Sequence, residues 1–255
     1  MSSNPYAAPK AAVADAVTAS QGNFVPGGRG VAAGRGWDWI VAGWELFKKQ
    51  PGAWIGLVVV ALIIFVVLAI IPFVGSLAMA VLGPVFAAGV ILGCRSLSEG
   101  GELEIGHLFA GFKDKFGTLA AVGALNLAAQ VVIMIVVMLI TGASLFAMSS
   151  GGAGSGTAIS IVLAMLIMLA LMVPVAMAVW FAPALVVLQN RGAVEALKES
   201  FSGCLKNIVP FLLYGIVLMI AGFIAAIPLG LGYLVFLPVV AGSLYASYQD
   251  IYFTS

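Results

Sequence analysis

Uncharged apolar runs and short amphipathic stretches alternate along this chain. Trp37, Ile40, Val41, Trp44 and Phe47 recur at helical spacing, opposite Asp38, Glu45, Lys48 and Lys49. That pattern predicts an interfacial helix with its tryptophans at headgroup depth and a favourable Glu45–Lys49 pair. Pro51-Gly52 breaks it and feeds a charge-free run at 54–71. Further apolar runs cover 77–94, 118–140, 158–188, 209–227 and 229–247. About 20 apolar residues cross a bilayer, so each run predicts a span. The run 158–188 is too long for one straight crossing. Pro174 and Pro183 predict that it kinks or ends, with 180–188 lying at the interface.

The polar stretches between hairpins repeat the opening grammar. In 95–117, Glu99, Glu102 and Glu104 open a predicted helix, and Lys113 and Lys115 close it, which suits the helix dipole. Its apolar stripe is Ile105, Leu108, Phe109, Phe112 and Phe116. In 191–207, Val194, Leu197, Phe201 and Cys204 face away from Glu195, Lys198, Glu199 and Ser202. Each stretch ends in a lysine (Lys49, Lys115, Lys206) and leads into two spans. The expected fold is therefore all-α: a polytopic transmembrane bundle of six spans with three amphipathic interfacial helices. Three copies of a helix-plus-hairpin unit around a common axis would give this pattern, as would ordinary amphipathic loops between spans. The domain reading is a disordered tail at 1–36 and a membrane domain at 37–255.

Composition sharpens the class. The 255 residues are 63% hydrophobic and 8% charged, against roughly 25% charged in soluble domains. A net charge of +1 gives no basis for a nucleic-acid partner. All 11 Lys and Arg lie before Pro51, in 95–115 or in 191–206, and the other connections carry none. The positive-inside rule then places both termini in the cytoplasm. Lys10, Arg29 and Arg35 are not followed by the apolar core of a signal peptide. Cys94 and Cys204 lack metal-ligand neighbours and read as small apolar residues.

Candidate chemistry is sparse. No Lys, Arg, Asp, Glu or His falls inside a predicted span, which argues against ion-coupled transport. Asn126 and Gln130 are the amides within a span, four residues apart on one face. They are candidates for cavity lining or for hydrogen bonding between helices. Gly89 and Gly93 permit a close helix contact. His107 has no partner set for zinc and reads as solvated; Ser98, Ser200 and Ser202 have no base beside them. The reading is non-enzymatic, with no catalytic, cofactor or metal site. Trp37, Trp44, Lys48, Lys49, Lys115 and Lys206 are the expected interfacial anchors. Two functions stay open: a lipid-interacting or scaffolding protein, and a facilitator or channel for a small or amphiphilic solute. The bilayer is the expected partner, with a protein partner or a second copy also open.

Three stretches carry a resemblance. The start Asn4-Pro5-Tyr6-Ala7-Ala8-Pro9 is similar to that of several proteobacterial membrane proteins. The block ending at Pro51 (GWDWIVAGWELFKKQP) and the block 181–201 (FAPALVVLQNRGAVEALKESF) resemble a proteobacterial family of six-span inner-membrane proteins without an assigned activity. The resemblance runs from Trp37 onwards and implies the bacterial inner (plasma) membrane. More distantly, the plan is similar to the membrane domain found with some glycerophosphodiester phosphodiesterases and to a small inner-membrane family of enteric bacteria. It brings no site residue with it.

Overall fold

The computed structural model describes residues 22–113, 115–149 and 155–254. Among them are α1 (Arg35–Lys49), α2 (Pro51–Ile70), α3 (Val74–Ser98), a 3₁₀ segment (Ile105–Phe112), α4 (Phe116–Ser149) and α5 (Ser155–Trp180). Then come α6 (Ala182–Gln189), α7 (Ala193–Leu205), α8 (Ile208–Ala226) and α9 (Tyr233–Tyr252). Six stretches are long and apolar enough to cross a membrane, the fourth being Val162–Gln189. Pro51 occupies the first turn of α2, where a missing N–H costs nothing. Outward-facing side chains such as Ile63, Val66, Met138, Leu169 and Phe223 are exposed, as lipid contact allows.

The three units interlock cyclically. Each interfacial element packs chiefly on the hairpin of the unit before it: the 3₁₀ segment on α2 and α3, α7 on α4 and α5, and α1 on α8 and α9. The second helix of each hairpin carries Pro-Val, at Pro84-Val85, Pro174-Val175 and Pro238-Val239. At two of the three sites a glycine rides directly on that valine's carbonyl. A Cβ on Gly43 would stand 2.3 Å from Val239 O, and one on Gly111 2.2 Å from Val85 O. Backbone meets backbone there, as small residues permit in membrane bundles. At the third site the Ser200 hydroxyl of α7 donates to Met177 O of α5 at 2.7 Å.

Lysines close each unit at its charged end. Lys49 Nζ donates to Leu97 O at 2.8 Å, near the end of α3. Lys115 donates to Asn190 Oδ1 beyond α6. Lys206 Nζ reaches Gly27 O at 3.0 Å and Gly28 O at 2.7 Å. The amide after the lysine clamps the lead-in to the next interfacial element. Gln50 Oε1 accepts from Leu103 N at 2.8 Å, and Asn207 Oδ1 accepts from Val31 N at 2.8 Å.

That second clamp corrects the expected tail. Residues 22–34 form an ordered strap along α7 and the end of α9, while 1–21 lie outside the described residues. Val25 N donates to Tyr252 O at 2.8 Å, and Arg29 N to Ile251 O at 2.9 Å. Phe24 stacks on Tyr252, and the Arg191 guanidinium lies over the Phe24 ring, 5.2 Å from its centroid. The Gly- and Pro-rich strap buries little itself. Its order comes from partners some two hundred positions away in sequence.

Four further expectations change. The helix expected over 95–117 is instead the end of α3, an extended turn and the 3₁₀ segment. His107 is half-buried there and closes a capping box: its Nδ1 accepts from Glu104 N at 3.0 Å. Glu45 pairs with Lys48 at 2.9 Å, one residue short of the expected Lys49. The side of α1 that meets the protein, which the stripe did not specify, carries the buried Trp39, Gly43 and Leu46, while Trp37, Val41 and Trp44 are exposed. The stretch 182–186 is wholly buried between α3 and α7 rather than lying at an interface.

Candidate functional site

The fold leaves one seam of the ring unfilled. Where one unit meets the next, α3 packs on α4 and α9 packs on α2, but α5 and α8 scarcely touch. The fault traces to the fourth span. Helix α5 stops at Trp180 and the chain bends at Phe181, with Pro183 in the first turn of α6. Phe181 N, freed by the bend, donates to Ser200 Oγ at 2.9 Å, so α7 heals the break. The bend carries α6 inward against α3, while α5 stays apart from α8.

The gap is a cleft of about 470 Å³ between α5, α7 and α8. Its walls include Met177 and Trp180 of α5, Cys204 of α7, and Phe211, Gly215 and Leu218 of α8. Tyr214 also lines it, but the phenol is satisfied by Ser243 Oγ at 2.7 Å. Burial pushes the Cys204 thiol up to about 12, so it behaves as an apolar group. Nothing charged lines the cleft. It is suited to hydrocarbon.

A second cavity of about 440 Å³ lies on another side of α5, between α3, α4 and α5, with Pro183 at one end. Ala176 and Trp180 line both spaces. Here the structure places Asn126 and Gln130. Gln130 Nε2 donates to Asn126 Oδ1 at 3.2 Å, within α4. Among the described residues neither side chain bonds to another helix; both line the cavity. A third space of about 490 Å³ shares Ala80 and Gln130 with it and runs to Phe73 at the uncharged turn.

The expected anchors are dispersed. Trp37 and Trp44 lie on α1, away from both spaces; Lys49, Lys115 and Lys206 are tied to backbone or amide oxygens, and Lys48 to Glu45. Sequence reasoning missed Trp180, whose indole Nε1 is buried without a hydrogen-bond partner. It also missed Gly215 and the seam itself. The available signal was the departure of the fourth apolar run from the compact Pro-Val hairpins of the other two units.

Six apolar spans, an all-helical bundle and cavities within its membrane-spanning part define a polytopic integral membrane protein. A family model described as "Domain of unknown function (DUF7847)" matches residues 51–251, and the chain belongs to that family. It is also similar to a probable inner membrane protein of Burkholderia thailandensis, 27% identical over 205 residues, covering 73% of each chain. No solved structure matches.

Proposed function

We propose that this is a non-enzymatic, lipid-interacting protein of the bacterial inner membrane, which takes a lipid acyl chain into the cleft between α5 and α8. The observation that carries this reading is the unfilled seam: about 470 Å³, within the range of ligand pockets, walled by apolar side chains and placed between two spans. A space between spans is filled by what surrounds it, and here that is hydrocarbon. The lysine- and arginine-rich end of the bundle faces the cytoplasm in this reading, following the positive-inside rule. The likeness of the chain's plan to the membrane domain accompanying some glycerophosphodiester phosphodiesterases fits a lipid-facing role. The facilitator reading has less support, because Pro183, which lines the α3–α4–α5 cavity, belongs to the buried stretch 182–186 packed against α3 and α7.

Native mass spectrometry of protein released from lipid nanodiscs tests the proposal. A Cβ on Gly215 meets nothing within 4 Å, so Gly215→Phe fills the cleft without a backbone clash. The wild type should keep a phospholipid that Gly215→Phe sheds. A wild type released bare, or a variant that keeps the same lipid, overturns it.

A further inference from the structure

The cavity between α3, α4 and α5 is built differently from the seam. Three of its lining groups carry polar atoms: Asn126, Gln130 and Trp180. The Asn126–Gln130 bond leaves the Asn126 amide N–H groups and the Gln130 carbonyl oxygen without partners among the described residues. Unmet groups of this kind are costly in an apolar interior, where water is scarce. Hydrogen-bonding capacity is therefore gathered at one cavity and left unspent by the protein.

We propose that this cavity binds an uncharged amphiphile, a lipid of the diacylglycerol class, with its hydroxyl and ester oxygens at Asn126 and Gln130. Three observations select that class. No ionisable side chain lines this cavity or the space that adjoins it at Ala80 and Gln130, so a charged headgroup would find no counter-ion. The remaining walls, Met79, Pro84 and Met172 among them, are apolar and suit chains rather than a hydrated solute. The adjoining space runs towards Phe73 and Leu77 at the uncharged end of the bundle, which gives the chains room to extend. The inference concerns a different cavity from the α5–α8 seam and does not depend on that reading.

The test is photolabelling in nanodiscs with a diazirine-bearing diacylglycerol, mapped by mass spectrometry. Labelling is expected on α3 between Met79 and Ala87, displaced by unlabelled diacylglycerol and not by phosphatidic acid. Asn126→Leu with Gln130→Leu keeps bulk and deletes the amides. That double variant should lower labelling of α3 about fivefold, the scale of one lost hydrogen bond, and leave labelling of α8 near Leu218 unchanged. Equal displacement by phosphatidic acid on the wild type overturns the proposal without any variant. So does labelling confined to α8, or a double variant that melts like wild type and labels α3 undiminished.

Discussion

Asp250 shows how the ring is held shut. Its carboxylate, with 9% of the side chain exposed, accepts from Trp39 Nε1 at 2.9 Å and from Arg35 Nε at 2.7 Å, with Arg29 at 3.5 Å. Replacing it with alanine removes all three and strands the Trp39 indole, which is 1% exposed. A hydrogen bond to a charged group is worth about 1.5–3 kcal/mol. The arginines are 36% and 45% exposed, so each ion pair adds only ~0–1 kcal/mol. Asp250→Ala should therefore cost about 1.5–5 kcal/mol, the sum of those contributions. Asp38→Ala, which removes an exposed pair with Arg35, should cost less than about 0.5 kcal/mol. Reversible unfolding in mixed micelles against SDS fraction measures both. In a Trp39→Phe background the Asp250→Ala loss should shrink by roughly 1–2 kcal/mol, since the two residues share one bond. An Asp250→Ala protein as stable as Asp38→Ala would refute the account of the closure.

Other expectations follow from the same packing. Gly43→Ala puts a methyl 2.3 Å from Val239 O and should lower stability by about 1–3 kcal/mol in the same titration; an unchanged midpoint would mean that α1 does not ride on α9. Ser200→Ala leaves Phe181 N and Met177 O unpaired and should cost about 1–3 kcal/mol, with faster amide exchange at Phe181. Cys94 is wholly buried and Cys204 is 4% exposed, so maleimide at neutral pH should leave the folded protein unlabelled and modify both thiols in SDS. Single cysteines placed at Ser76 and Lys198 test orientation: a membrane-impermeant thiol reagent added to intact cells should label the first and spare the second.

The spans were legible because uncharged runs of bilayer length admit few other readings. The three-unit plan was legible too, in the lysines that end each amphipathic stretch. What the pattern left unread is which residues of α1 make the protein contact. In water an apolar stripe marks the core, but in a membrane lipid takes the large apolar side chains and helices meet at small ones. Trp37, Val41 and Trp44 therefore look outward, and Gly43 sits at the crossing. The strap was illegible for another reason: nothing local in 22–34 favours order, and Lys206, Asn207 and Asp250 supply its partners. Asn126 and Gln130 could be picked out by type, but their company with Trp180 depends on the bend at Phe181, which the two prolines only hinted at.

The cyclic packing also sets a timetable for synthesis. Trp39 and the aspartate that holds it are 211 positions apart, so at ~5–20 residues per second the ribosome makes one roughly 10–40 s after the other. During that interval α2 to α8 can enter the membrane and pair, while α1 and the strap still lack α9. The first helix translated is then among the last to find its place. A chain that stalls before Asp250 would hold most of its spans in the bilayer and leave an undocked amino-terminal arm, a mark by which proteolysis could tell an unfinished molecule from a finished one.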